Sequence, residues 1–285
     1  MQKGGTLRAG HYFLAVEGLA MLRDFLADPA GLQPRADEVA SVVAAMEHFP
    51  QSLAIPVVRY DVEAGYTRWA PRYDGPNPAI ETEEPVFEEL IGRLGRPGTA
   101  LDAACGTGRH SALLTEAGWH VTGIDSTPAM LDLARQKVPG ATFRPGRLDA
   151  IPLDDASVDL VVCGLALTHV EALAPVLAEF ARVLRPGGHV VTTDMHPVVC
   201  ATGGMAVFPS GEEGMEIHYV PNLLHEVGEY VTALVDAGLN IEACLEPKIT
   251  EAFITAFPSF AVLPEATRQA FLGLLYLLIW QAIKR

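Results

Sequence analysis

Residues Leu101–His110 read LDAACGTGRH. An apolar run, Thr99–Ala103, leads into this stretch, and a helical pattern over His110–Ala117 follows it. Gly106 and Gly108 lack a Cβ, so the backbone between strand and helix can turn tightly and come close to a ligand. The unpaired N–H groups at the start of the helix suit an anionic group. Asp102 falls at the end of the strand, where open α/β sheets bind their ligands. By itself a strand–GxG–helix turn is more often a purely structural turn.

Working outward, short apolar runs alternate with helical patterns. The runs are Thr99–Ala103, His120–Ile124, Ala141–Arg144, Val158–Cys163 and His189–Thr193, and between them lie His110–Ala117, Pro128–Gln136 and Leu173–Leu184. Such alternation with short connections predicts an α/β fold: a mostly parallel, doubly wound sheet with helices on both faces. Two more acids fall at strand ends. Asp125 closes the second apolar run, 23 residues after Asp102, where an acid can accept both hydroxyls of a ribose. Asp149 follows the third run, where it can accept the exocyclic amine of an adenine. Three acids at successive strand ends favour a nucleoside-bearing ligand over a structural turn.

With these residues in view the chain resembles the class I S-adenosylmethionine-dependent methyltransferases, small-molecule branch. The matching stretches are LDAACGTG (101–108), VTGIDSTPAML (121–131), LDAIPLDDASVDLVVC (148–163) and FARVLRPGGHVV (180–191). The resemblance is strong over about 98–195, weaker before and after, and absent over 1–59. It implies a Rossmann-like seven-stranded sheet whose last strand is antiparallel, S-adenosylmethionine as cofactor and S-adenosylhomocysteine as product. It implies that Asp102, Ala103, Cys105, Gly106 and Gly108 lie against the amino-acid end of the cofactor. Asp125 would take the ribose, with Ser126 and Met130 flanking the adenosine, and Leu148, Asp149 and Ala150 the adenine. Cys163 and Leu165 would border the methionine moiety, and the aromatic Tyr66, Trp69 and Tyr73 would lie over the cofactor. A dinucleotide dehydrogenase is the competing reading, but GTGRH lacks the third glycine of GxGxxG and Pro186-Gly187-Gly188 has no role there.

Methyl transfer needs a nucleophile held in line, and a base only where that nucleophile must lose a proton. His169, after the fourth strand of the domain, and Asp194 and His196, at the end of the fifth, are the candidates at the ligand-binding edge; His218 and His225 are further possibilities. The catechol-type metal cluster and the Asn-Pro-Pro-Tyr motif are both missing from the sequence, and no metal is expected. A small, apolar acceptor is expected from the Phe-, Leu- and Met-rich flanks, and a setting in secondary-metabolite biosynthesis from the N-terminal extension and the lid. Two other readings remain open: a methyltransferase-like fold that catalyses a cyclisation or rearrangement, and a non-enzymatic binding protein.

The rest of the chain sets the frame. It has 285 residues, 49% hydrophobic and 19% charged, with a formal net charge of -15. Such acidity argues against a nucleic-acid partner. Residues 1–90 read as a helical extension or cap, with candidate helices near 14–26, 36–48 and 83–94, and 91–285 as the methyltransferase domain. Within the latter, 196–224 reads as a lid or substrate insertion carrying Gly203, Gly204, Gly211 and Gly214. Leu274–Ala282 reads as a final strand. The amino terminus shows no apolar leader, Phe271–Ile283 is too short to cross a bilayer, and four scattered cysteines suggest reduced thiols. A cytoplasmic protein without membrane partners is expected, and the extension could support a homo-oligomer.

Overall fold

The structure, a computed structural model, describes residues 2–210 and 215–285. Gly211 and Gly214 of the expected insertion lie outside them. The chain folds as two compact units, each assembled from separate stretches: Met1–Tyr60, Val207–Tyr219 and Lys248–Leu275 in one, Asp61–Ala206, Val220–Pro247 and Tyr276–Arg285 in the other.

The first unit begins with β1 (Gln2–Arg8), α1 (Ala9–Asp24), α2 (Leu32–Ala44) and β2 (Ala54–Arg59). The second carries α3 (Val62–Trp69), a 3-10 turn (Ala70–Arg72), α4 (Pro78–Gly92), β3 (Thr99–Ala103), α5 (Arg109–Glu116), β4 (His120–Asp125), α6 (Pro128–Lys137) and β5 (Thr142–Pro145). It continues with β6 (Val158–Gly164), a 3-10 turn (Leu167–His169), α7 (Leu173–Val183), β7 (Leu184–Met195) and α8 (Pro197–Ala201). Then come β8 (Ala206–Pro209), β9 (Ile217–Val220), α9 (Val227–Asp236), β10 (Leu239–Leu245), α10 (Glu251–Ile254), α11 (Pro264–Phe271) and β11 (Leu277–Lys284).

In the second unit seven strands form one sheet in the order β10-β11-β7-β6-β3-β4-β5. The pairs from β7 to β5 are parallel, and β11 is antiparallel to both β7 and β10. This is the Rossmann-like sheet anticipated from the alternation of apolar runs and helices. The final strand lies inside the sheet, between β7 and β10, rather than at its edge. β3 and β6 are buried almost throughout, as expected of parallel strands covered on both faces. One face packs Phe180 of α7 and Tyr230 of α9 against Val161, Val190 and Trp280. The other packs Phe87 and Leu90 of α4, with Leu114 of α5, against Leu160, Val162 and Val191. α7 buries Leu173, Val176, Leu177 and Phe180, the i, i+3, i+4, i+7 stripe of an amphipathic helix. Pro186 and Gly187 are the third and fourth residues of β7, with Gly187 at φ 81°.

The amino-terminal stretch holds its two helices, α1 and α2, but also two strands that the periodicity did not suggest. β1 and β2 pair antiparallel, and β2 pairs parallel with β9 in a four-stranded sheet of order β1-β2-β9-β8. The segment read as an irregular insertion thus supplies two strands to this sheet. Among the described residues no helix is long and apolar enough to cross a membrane.

Candidate functional site

The carboxyl ends of β3, β4 and β6 converge on a cavity of about 670 Å³ within the second unit. Three backbone devices shape it. Ala104 turns out of β3 at φ 57°, Leu165 turns out of β6 at φ 55°, and Gly106 and Gly108 sit at φ 54° and 84°. Left-handed φ is costly for a residue with a Cβ, so Ala104 and Leu165 mark places where the surroundings dictate the backbone.

Asp125 holds the glycine-rich loop. Its Oδ2 accepts the Gly106 N–H at 2.9 Å and its Oδ1 accepts the Thr127 N–H at 2.8 Å. The Thr127 side chain adds a further hydrogen bond, and burial pushes the carboxyl above its usual range despite these bonds. Asp102 is buried beneath the loop. Its Oδ2 accepts from Ser111 at 2.6 Å, whereas Oδ1 is buried without a partner among the described residues. Burial raises this carboxyl too.

A second charged group lies below the same loop. The Glu83 carboxylate meets Arg109, His110 and Thr193. Burial would raise its pKa, but His110, Arg109 and Thr193 outweigh it and bring it down to about 2. Gly164 must be glycine here, because a Cβ would overlap the His110 ring.

An aromatic strap covers one side. Tyr66 and Tyr73 line the cavity, and Trp69 packs on both, with ring centroids 5.7 and 5.0 Å away. The strap is tied down beyond Tyr73. Asp74 accepts from Thr107 Oγ1 at 2.6 Å and from Lys137 Nζ at 2.6 Å, and Lys137 also donates to Thr107 at 3.0 Å.

Of the residues singled out from the sequence, the structure brings Tyr66, Tyr73, Gly106, Asp125, Ser126, Leu148, Asp149, Leu165 and His169 to the cavity. Asp149 receives a bidentate pair of hydrogen bonds from its neighbour Arg147, at 2.9 and 2.8 Å. Ala103, Met130 and Cys163 are core residues, each at most 1% exposed. Cys105 is buried, and burial pushes its thiol far up. Gly108, Trp69 and Ala150 shape or back the site without lining it.

The candidate bases separate clearly. His169 lines the cavity. Asp194 does not: its carboxylate, pushed up to about 6 by burial, accepts the N–H groups of Thr168 and Met195 and so pins the turn that carries His169. His196 is turned away as the cap of α8. Its Nδ1 accepts from Val198 N–H, and its Nε2 meets Glu246 at 3.0 Å. His225 bonds Glu229 and the Val170 carbonyl, and His218 pairs with Glu216 in the other unit. Reasoning from the sequence missed Ala104, Asp61, Glu63, Arg147 and Glu171 of the lining. Glu171 had a legible signal, two residues beyond His169 in the same strand-end loop.

The donor set fits a nucleoside carrying an amino-acid tail. Asp125 keeps carboxylate acceptor capacity for a ribose hydroxyl, and Asp102 Oδ1 is an orphaned acceptor suited to an ammonium group, directly or through water. The fold and this site are similar to those of S-adenosylmethionine-dependent methyltransferases. Residues 101–192 match the family described as "Methyltransferase domain". A malonyl-[acyl-carrier protein] O-methyltransferase of Serratia marcescens is 37% identical over 132 residues, covering 46% of this chain and 51% of its own. A demethylmenaquinone methyltransferase of Chlorobaculum tepidum is 43% identical over 89 residues, covering 31% of this chain and 37% of its own. The chain spans about half the length, or less, of the curated relatives it matches. A solved S-adenosylmethionine dependent methyltransferase from Mesorhizobium loti superposes with a TM-score of 0.55 at 25% identity, covering 71% of this chain and 98% of its own. Among the described residues no cluster of side chains could hold a metal ion.

Proposed function

We propose that the protein transfers a methyl group from S-adenosylmethionine to a small, mainly apolar molecule. The observation that carries this reading is the single cavity into which two sets of groups project. Asp125, Ser126, Leu148 and Asp149 come from the ends of β4 and β5, and Val62, Val170, Pro175 and Val176 from the opposite elements. The first set would hold the adenosine, with Gly106 and Asp102 at the amino-acid tail. The second offers apolar contact to an acceptor. When bound, the cofactor supplies an electrophilic methyl group on a sulfonium, so the protein's task is alignment and exclusion of water.

The lining favours a neutral or cationic acceptor. Its carboxylates are Asp61, Glu63, Asp125, Asp149 and Glu171, and its one Arg or Lys, Arg147, is already paired with Asp149. A free carboxylate acceptor would meet a negative wall. The setting we propose is secondary-metabolite biosynthesis, because the first unit lies outside the stretch shared with the curated family. Homo-oligomerisation through the first unit is supported by Leu22, Phe25 and Leu26, exposed at and just beyond the end of α1.

Titration calorimetry with S-adenosylhomocysteine tests the cofactor half: one site per chain is expected, and no binding would overturn the reading. Incubation with labelled methyl donor and a panel of phenols, amines, enolisable carbonyls and carboxylic acids tests the transfer. Product from neutral or basic members is expected, and product only from carboxylates would overturn the charge argument.

A further inference from the structure

Neither ring nitrogen of His169 is open to the cavity. Nδ1 lies 3.1 Å from the carbonyl oxygen of Pro221, and Nε2 lies 2.7 Å from the hydroxyl of Tyr66. A carbonyl oxygen can only accept, so Nδ1 carries a hydrogen. Burial brings the ring pKa down to about 4, so the ring is neutral near pH 7 and Nε2 is bare. The Tyr66 hydroxyl must then donate to Nε2. Its hydrogen points at His169, and its remaining lone pairs belong to a side chain that lines the cavity.

The phenol cannot simply ionise. Burial, followed by the nearby Tyr73, Asp194 and Asp125, pushes Tyr66 well above the usual tyrosine range. A proton accepted at its oxygen must therefore be matched by release of its own proton to Nε2. Asp194 Oδ2, which accepts the Thr168 N–H at 2.7 Å, holds the turn on which His169 sits. The neighbouring turn bond, His169 N–H to the Ala166 carbonyl at 3.0 Å, completes the support.

We propose that Tyr66 is the catalytic residue that takes the proton from the O–H or N–H of the methyl acceptor, and that His169 acts through it as positioning residue and final store of that proton. The hydrogen–heteroatom bond of the acceptor breaks as a bond to Tyr66 Oη forms. The original Oη–H bond breaks as Nε2–H forms. The electron pair goes into the new bond between the acceptor heteroatom and the methyl carbon as the proton leaves, so no free acceptor anion forms, and the proton rests on an imidazolium whose Nδ1–H still donates to Pro221. This assigns both residues differently from the sequence reading, in which the family resemblance put Tyr66 over the cofactor and His169 was a candidate base. The proposal rests on the methyltransferase reading above.

The test needs no identified acceptor. In protein labelled with 15N-histidine and saturated with S-adenosylhomocysteine, the His169 signals are assigned by their loss in His169→Gln. They are expected to show a neutral Nδ1–H tautomer from pH 8 down to about pH 5. Tyr66→Phe should move the Nε2 resonance toward that of a free imine nitrogen and leave Nδ1–H in place. An Nε2–H tautomer, or an imidazolium at pH 7, would overturn the proposal, because neither can receive the phenol proton. Calorimetry on the same samples reports separately on the cofactor: a wild type that binds no S-adenosylhomocysteine fails the methyltransferase reading instead. With any panel acceptor that turns over, Tyr66→Phe should lower kcat by about 100-fold with the donor KM within about threefold. Retention of kcat within about twofold would also overturn the proposal.

Discussion

Each oxygen of Asp125 already accepts one backbone N–H, from Gly106 and from Thr127. The same carboxylate therefore holds the glycine-rich loop in shape and, in the proposed complex, receives the ribose. Asp125→Ala removes both functions. Charge-assisted hydrogen bonds of this kind contribute about 1–3 kcal/mol, so S-adenosylhomocysteine affinity should fall by roughly 5- to 150-fold in titration calorimetry. An unchanged affinity would defeat the ribose assignment. Asp125 was legible in the sequence because strand-end position and residue type coincide. Asp194 was legible as an acid at a strand end, but its actual work was not. Its partners include the N–H groups of Thr168 and Met195 and the hydroxyl of Tyr230 at 3.4 Å, and come partly from residues distant in sequence. The His169 ring shows the same limit, since its tautomer is set by the Pro221 carbonyl, 52 positions away.

At the scale of elements, the sheet of the second unit was readable and that of the first was not, for one physical reason. β3, β4, β6 and β7 are apolar runs separated by helices, and right-handed crossovers then leave few topologies. β1 contains Gly4 and Gly5, β2 contains Pro56, and β2 pairs in parallel with β9 across more than 150 residues. Glycine and proline disguise strands locally, and a long-range parallel pair has no local signature. The strap of α3 and its following turn raises a dynamic question. It carries Tyr66 and Tyr73 to the cavity and is fastened by Asp74, Thr107 and Lys137. The side chains of Lys137 and Asp74 are 32% and 51% exposed, so the fastening contributes no more than about 1 kcal/mol. Lys137→Met should therefore speed S-adenosylhomocysteine release by about threefold to fivefold in stopped-flow tryptophan fluorescence. High salt should bring the wild type toward the variant's rate. Equal release rates at low salt would show that the strap is held by its aromatic packing alone.

For the molecule as a whole, two buried glutamates oppose each other along the pH axis. Glu83 in the second unit is held down at about 2. A depressed carboxyl stabilises the folded state above its unfolded pKa, and that contribution is lost as pH falls from about 4.5 toward 2. Glu17 in the first unit behaves in the opposite sense. It lies on α1, fully buried, with Arg35 at 3.6 Å and no hydrogen-bond partner on either oxygen among the described residues. Burial foremost, and then Glu38 beside it, raise its pKa against the pull of Arg35. Its folded state holds the proton more tightly than the unfolded chain. The resulting stability is complete below the ordinary carboxylate pKa and declines as pH rises through the raised value toward neutrality. Glu17→Gln keeps the shape and removes the titration, while Arg35 retains Glu38 at 3.0 Å. In scanning calorimetry the wild type should lose thermal stability between pH 5 and pH 8, whereas Glu17→Gln should lose less and melt a few degrees higher at pH 8. A Glu17→Gln profile parallel to the wild type across that interval would show that Glu17 is ionised in the fold throughout, with Arg35 sufficient to hold its charge.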